Sequence, residues 1–398
     1  MKILQLFGIS CLIRQQTYLL PVTLLWYQYN GLTASDFVFI QGIFILFGIF
    51  SEVPSGYLAD IFSKKHILLC SFSLFLLRCI LWLNFTGLYV ILIGEMLVVL
   101  SRSLFQGIYD SYIYEFLEEK KQTDKLVKYY GIVNSYLNIG TGSASLLCSF
   151  LYPRYALQTL LILELISTCV ALVLMSMVPN IENHHRAKSF KEHFNEMTVS
   201  VKKTLSDKRI NHYIVMSAIF ASSTYIYIWN FQPIMKSTGV AVSLFGIMYV
   251  CNFFFRALAG YLSGYLARKI NYDKLAAIVI LHICIAFCGL AFAEIYKSSY
   301  ITIIVILLIC IGIGAQLLFH ILTIASLQRI TNANIRATAS SSYNLVGQGI
   351  AGIMLSSFKF LATKMTFTQI YLLYLGLYII MISVVYLWHK TSLHKEIS

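Results

Sequence analysis

Charge is scarce in this sequence: Asp, Glu, Lys and Arg make up 12% of 398 residues, against 58% hydrophobic ones. A soluble domain carries about a quarter charged residues, so this chain cannot clothe a water-facing surface and reads as an integral membrane protein. Cysteines in aqueous loops are also missing. Cys11, Cys70, Cys79, Cys148, Cys169, Cys251, Cys284, Cys288 and Cys310 all fall in apolar segments, which excludes a disulfide framework and leaves them as small apolar side chains. Cys284 and Cys288 are spaced for one helix face, yet no further ligand accompanies them, so no metal site is expected. No Gly-rich phosphate loop, His/Cys ligand set or nucleophile motif appears, and no polar stretch is longer than 179–210. A membrane-embedded enzyme or receptor would need one of these, and no cofactor is expected. Met1 and Lys2 lead straight into an apolar run that contains Arg14 and lacks a small-residue cleavage site, which reads as a first membrane span and not as a cleaved leader.

A bilayer core needs about 20 apolar residues per helix. Such segments number twelve, at roughly 4–27, 37–58, 67–85, 88–116, 129–152, 157–178, 211–232, 242–266, 274–293, 299–328, 337–360 and 368–388. The expected fold is therefore all-α and polytopic. With the N-terminus inside, the cytoplasmic segments hold twenty-one basic residues, while the opposite side holds only Arg154, Lys236, Lys297 and Lys364. That asymmetry places both ends in the cytoplasm. It also accounts for the net charge of +13 without nucleic acid.

The polar stretch 179–210 follows the sixth span and divides the chain into a bundle at 1–178, a linker, a bundle at 211–390 and a tail at 391–398. Phe190, Phe194, Met197, Val201 and Leu205 recur within the linker at helical spacing among lysines, which suits an amphipathic helix on the inner leaflet. A disordered linker is the alternative. The halves are related: Ser55-Gly56-Tyr57-Leu58-Ala59 returns at Ser263-Gly264-Tyr265-Leu266-Ala267, 208 positions later. Ser135-Tyr136 with Gly140, Gly142 and Ala144 returns at Ser342-Tyr343 with Gly347, Gly349 and Ala351, 207 positions later. Two pseudo-symmetric six-helix bundles are expected, an architecture of secondary transporters.

The turn after the second span carries a further likeness. Gly56, Leu58, Ala59, Asp60, Lys64 and Lys65 are similar to the G-x-L-A-D-R-x-G-R-K signature of the major facilitator superfamily, with Ile61 where that family favours Arg and Ser63 where it favours Gly. With the repeat and the twelve spans, the chain resembles that superfamily over essentially its whole length. Glu52-Val53-Pro54-Ser55-Gly56, Tyr109-Asp110-Ser111 and Arg336-Ala337-Thr338 resemble a bacterial efflux-like branch. Arg102 with Gln106-Gly107 is one residue longer than the R-x-x-Q-G of drug–proton antiporters, and 131–144 lacks their Gly-Pro. The resemblance implies a monomeric plasma-membrane transporter, moving a small organic solute by alternating access. Proton-coupled efflux is the first reading and proton-coupled uptake of a sugar or similar metabolite the second.

Ionisable groups inside spans are expensive and therefore functional candidates. Glu95 and Arg102 are seven residues apart, two helical turns, so they share a face of the fourth span. Arg14 is at mid-depth of the first span, which in the resembled fold lines the same cavity. A carboxylate facing two guanidiniums stays ionised and gains a proton when it loses one. Glu95 is thus the expected protonation site with Arg14 and Arg102 biasing it, or else a member of a static ion pair. Asp60, Lys64, Lys65 and Asp110 form a cytoplasmic group, and in the resembled fold the turn aspartate faces the start of span eleven, at Arg336–Ser340. A helix N-terminus carries about half a positive charge, so Asp60 would act there as a latch, with Gly56 allowing close helix approach. For substrate, Trp229, Asn230, Gln232, Gln316 and His320 are candidates, suited to a partly apolar or cationic molecule. The rings near Trp229 also fit an interfacial aromatic belt. His282 and His320 are read as interhelical hydrogen-bonding groups.

Overall fold

The computed structural model describes residues 2–181, 199, 208–266, 269–330 and 333–397. Apolar segments in a bilayer must satisfy their own backbone N–H and C=O groups, and among the described residues every regular element is helical. The elements are α1 (Lys2–Arg14), a 3-10 turn (Leu20–Val22), α2 (Thr23–Tyr29), α3 (Ala34–Ile61), α4 (Lys64–Asn84), α5 (Leu88–Glu119), α6 (Leu126–Leu151), α7 (Leu157–Ser176), α8 (Lys208–Ser237), α9 (Phe245–Leu266), α10 (Tyr272–Tyr296), α11 (Ser299–Ile330), α12 (Ala333–Leu361) and α13 (Phe367–Ile397). Nine of them, α3, α4, α5, α7, α8, α9, α10, α11 and α13, carry a stretch long and apolar enough to cross a membrane. The helices α6 and α12 have the length but are too polar, with Asn134, Ser135, Asn138 and Thr141 in one and Ser341, Ser342, Asn344 and Gln348 in the other. They are the two helices that carry the second sequence repeat. In α6 two hydroxyls turn back onto their own helix, Ser135 onto the Gly131 carbonyl and Ser145 onto that of Thr141, which lowers their cost in an apolar medium.

The first span departs from the sequence reading. In place of one helix over 4–27, α1 stops at Arg14, and helical backbone resumes only at Leu20. Pro21 lacks an N–H and its ring would crowd the carbonyl of Thr17, which disfavours a continuous α-helix here, although Pro54 in α3 and Pro233 in α8 are carried inside helices. The Gln15 N–H still reaches the Cys11 carbonyl at 3.1 Å, but the Thr17 N–H turns back to the Gln15 carbonyl at 2.8 Å.

The charged turn is also tighter than its sequence suggests. Helix α3 runs to Ile61 and α4 starts at Lys64, which leaves Phe62 and Ser63 between them. Ser63, where the resembled signature has glycine, sits at φ −62° and ψ 139° as the residue preceding α4. No left-handed conformation is needed there, and its hydroxyl contacts His66 Nδ1. Serine is thus a workable substitute, one of the residues favoured before a helix.

The chain divides into two compact units. The first comprises Met1–Thr33, Phe47–Phe194 and Val242–Val250, and the second Ala34–Leu46, Asn195–Ala241 and Cys251–Ser398. The boundary therefore runs through α3 and α9 as well as through the linker. The segments that change unit begin at 34 and at 242, the same 208-position offset as the repeated pentapeptide.

The first unit has a core of Leu4, Phe7 and Cys11 from α1, Phe72 from α4, Phe105, Ile108 and Tyr112 from α5, and Ala171 and Met175 from α7. Phe7 stacks on Tyr112 with centroids 4.8 Å apart. In the second unit α10, α11, α12 and α13 all pack on α8. Buried rings from three of these helices meet there: Tyr227 lies 5.2 Å from Phe287, which stacks on Tyr378 at 5.4 Å. Helix α10 opens with Asn271, whose side chain accepts the Lys274 N–H at 3.0 Å, a cap that satisfies one of the four free amides. All nine cysteines are free. The proposed amphipathic helix of the linker lies outside the described residues.

Candidate functional site

The break in the first span places Arg14 at the last position of α1, inside the first unit. Arg14 is 6% exposed. It donates to Ser101 Oγ at 2.7 Å and makes a long 3.4 Å contact with Gln15 Oε1, while its Nε has no hydrogen-bond partner among the described residues. The rings of Phe75, Phe105 and Phe72 lie 4.6, 5.5 and 5.8 Å from its central carbon. Their faces attract a cation, but no described carboxylate forms an ion pair with it. An uncompensated buried charge costs on the order of several kcal/mol. Arg102, near the midpoint of α5 and exposed, lies close enough for its charge to reach Arg14. Beside the break, Gln16 donates to Ser143 Oγ of α6 at 3.0 Å, and the Leu12 backbone runs so close to Gly140 that a Cβ there would collide with it. Polar side chains from α1, α5 and α6 thus converge on unwound backbone.

Among the described residues of the first unit two carboxylates are buried, and their surroundings differ. Glu164 of α7 is fully buried; it accepts a hydrogen bond from Arg78 of α4 through one oxygen and the Leu19 N–H through the other at 2.7 Å. Arg78 lies in turn over the Trp82 and Phe75 rings at 4.2 and 4.9 Å. Glu164 therefore clamps the non-helical segment of the first span onto α4 and α7. Glu95 of α5, 7% exposed, instead accepts from the phenol of Tyr27 in α2 at 2.5 Å. The spacing that predicts Glu95 facing Arg14 and Arg102 is geometrically sound within one helix. Glu95 lies within electrostatic reach of Arg78, and Arg14 turns to Ser101.

In the cytoplasmic group, Lys64 forms an ion pair with Glu115 of α5, a partner that the sequence reading does not include. Lys65 donates to the Ser176 carbonyl at the end of α7 at 2.6 Å. Asp110 is half-buried on α5, one residue from Tyr109. The side chains of Gly56, Asp60 and Arg336 lie outside the described residues, so the proposed latch does too.

The substrate candidates on α8 and α11 are largely occupied by one another or by neighbouring helices. Gln316 donates to Ser223 at 2.8 Å and accepts from Thr224. Asn230 donates to the Ile226 carbonyl at 2.8 Å and accepts from Tyr371 at 3.2 Å. Gln232 is fully buried, and Trp229 meets Phe37 edge-on at 5.9 Å. His320 stacks on Tyr343 at 4.2 Å. The ring of His282 meets Tyr227 edge-on at 5.6 Å and reaches the backbone of Ile309 on α11, where Gly312 lets it pack directly on that helix. No cluster of three metal-ligating side chains occurs among the described residues.

A sequence model of the Major Facilitator Superfamily matches residues 6–357, and again 214–396. The chain belongs to the Major Facilitator Superfamily. No curated protein matches it in sequence. In structure this superfamily member is similar to the nucleoside transporter NupG, with TM-score 0.77 and 12% identity over 97% of this chain and 98% of that one. It is also similar to a POT family transporter crystallised with 5-aminolevulinic acid, at 0.72 and 14% over 97% and 95%. A third similar structure is a bacterial homologue of the lysosomal transporter Spinster, inward-facing and unoccupied, at 0.65 and 15% over 88% and 80%. Identities this low carry the fold and nothing finer. Family and fold together support a multi-pass secondary transporter.

The sequence reading misses the break at Gln15–Leu19 and the partners it gathers. A signal is present: Gln15-Gln16-Thr17 interrupts an apolar run four residues before Pro21.

Proposed function

We propose that this member of the superfamily is a proton-coupled secondary transporter that exports a small organic solute by alternating access, with Glu95 as the protonated group. The observation that carries the coupling is the pairing of a buried carboxylate with a phenol, Tyr27 Oη to Glu95 at 2.5 Å. A phenol donates to a carboxylate and accepts from a carboxylic acid, so either protonation state finds a partner without repacking. Glu164, by contrast, accepts from a guanidinium and a backbone amide, both donors only. Adding α6, α12 and the broken α1–α2 pair to the nine apolar spans gives twelve crossings. On the basic-residue asymmetry both termini face the cytoplasm of a bacterial plasma membrane, and the functional unit is a monomer. Export rests on the efflux-like motifs at Glu52–Gly56 and Arg336–Thr338.

Uptake of a polar metabolite is the second reading, and the Ser223–Gln316–Thr224 network favours it, since amides and hydroxyls suit a hydrogen-bonding cargo. The similar structures carry names that point to nucleosides and to 5-aminolevulinic acid, which are polar organic solutes. Transport of a compound panel in everted membrane vesicles, with and without a proton gradient, tests both readings. Gradient-driven accumulation inside everted vesicles is the expected result. In Glu95→Gln, accumulation should fall to the level seen without a gradient, while solute exchange across the membrane at zero gradient continues. Undiminished accumulation in that variant would remove Glu95 from the coupling step.

A further inference from the structure

Arg14 and Arg102 are not explained by proton coupling through Glu95. One is a guanidinium buried among three phenylalanine rings, hydrogen-bonded only to the neutral oxygens of Ser101 and Gln15. The other stands exposed in the middle of a span, within electrostatic reach of the first. Neither forms an ion pair with a described residue. Arginines in spans avoid lipid and turn to the bundle interior or to a water-filled cavity, where they pair with something. Arg102 follows Ser101, the residue that Arg14 contacts, so the two like charges repel one another, while Glu164 at the break is already paired with Arg78 and no described carboxylate pairs with either. Unwound backbone at membrane depth is itself the usual mark of a binding site in transporters.

We propose that Arg14 and Arg102 bind the acid group of an organic anion, so that the transported solute carries a carboxylate or phosphoryl group. The inference rests on the transporter reading above and names the class of its cargo. Arg102 makes the exposed contact. Arg14 supplies its Nη1, which the long Gln15 contact holds until the acid replaces it. The guanidinium fork matches either oxyanion in bidentate geometry, and an acid placed there cancels a charge the fold leaves uncompensated. The cationic cargo suited to the aromatic rings of α8 would be repelled from this position.

The test uses the purified full-length chain, with sodium benzoate and sodium phosphate as probes, sodium chloride at equal ionic strength as control and benzamide as the neutral counterpart of benzoate. Benzoate or phosphate should raise the unfolding temperature above the chloride value and benzamide should not. Arg102→Gln should weaken the effective acid's binding about tenfold or more, the loss of one charge-assisted pair, and so should Arg14→Gln. Phosphate acting without benzoate assigns the phosphoryl class, and the reverse assigns the carboxylate class. Equal unfolding temperatures in all salts would overturn the proposal. So would an increment that survives both substitutions. Reconstituted transport separates this from the parent reading: flux of neutral or cationic compounds that is indifferent to Arg102→Gln overturns the anion assignment and leaves the transporter standing.

Discussion

Glu164→Gln should cost about 3–5 kcal/mol of stability, because it leaves the Arg78 guanidinium charged and unpaired inside the first unit. The variant is expected to lose its monodisperse peak on size exclusion after detergent extraction, or to unfold well below the parent temperature. The double variant Arg78→Met with Glu164→Gln separates charge from shape. Its glutamine oxygen still accepts the Leu19 N–H, and methionine fills the space between Trp82 and Phe75, so it should be markedly more stable than Glu164→Gln alone. Removing both members of a buried pair is often neutral where removing one is severe. A Glu164→Gln protein as stable as the parent would show that the clamp on the first span is held by something other than this ion pair.

Gly42→Leu should reduce transport about fivefold to more than a hundredfold while leaving membrane insertion intact. Within the second unit, α3 crosses α12 where a Cβ on Gly42 would come within 2.7 Å of Ser356 Oγ and 2.8 Å of the Leu355 carbonyl carbon. Gly352 faces Leu46 in the same crossing, and Asp36 and Lys359 pair beside it at 2.7 Å. Small residues let membrane helices approach this closely. On the proposed topology and transport cycle the crossing lies at the outer end of both helices, where it would have to open and reform. Overpacking costs about 1–3 kcal/mol and falls on the closed arrangement alone, which sets the expected range of the effect. A Gly42→Leu protein that transports at the parent rate would mean that the crossing is not part of the cycle.

Much of the fold is legible in the sequence because membrane spans are written in composition and length. The apolar runs announce themselves, and the repeat at 55–59 and 263–267 shows the two halves. The same offset relates the starts of the segments that change unit, at 34 and 242. What spacing cannot give is the partner on another helix. Seven residues between Glu95 and Arg102 fix a shared face, yet say nothing of Tyr27, which is 68 positions from Glu95. Arg78 and Glu164 are 86 positions apart, and Lys64 and Glu115 51. Those pairings depend on which helices become neighbours, a property of the packed bundle. The break in the first span is a different case, since Pro21 and the polar triplet before it together disfavour a continuous helix. Asn230 and Gln316 also mislead when read alone, for a polar side chain in a span suits a helix–helix hydrogen bond as well as it suits a substrate.

The central claim is that solute movement is coupled to proton movement. Its most direct measurement is proton movement during solute transport in proteoliposomes, followed with an enclosed pH-sensitive dye and no imposed gradient. Adding a transported solute to one side should change the lumenal pH in proportion to solute flux, and Glu95→Gln should abolish the pH change while solute still exchanges. Solute flux with no accompanying proton movement in the parent protein would contradict the account.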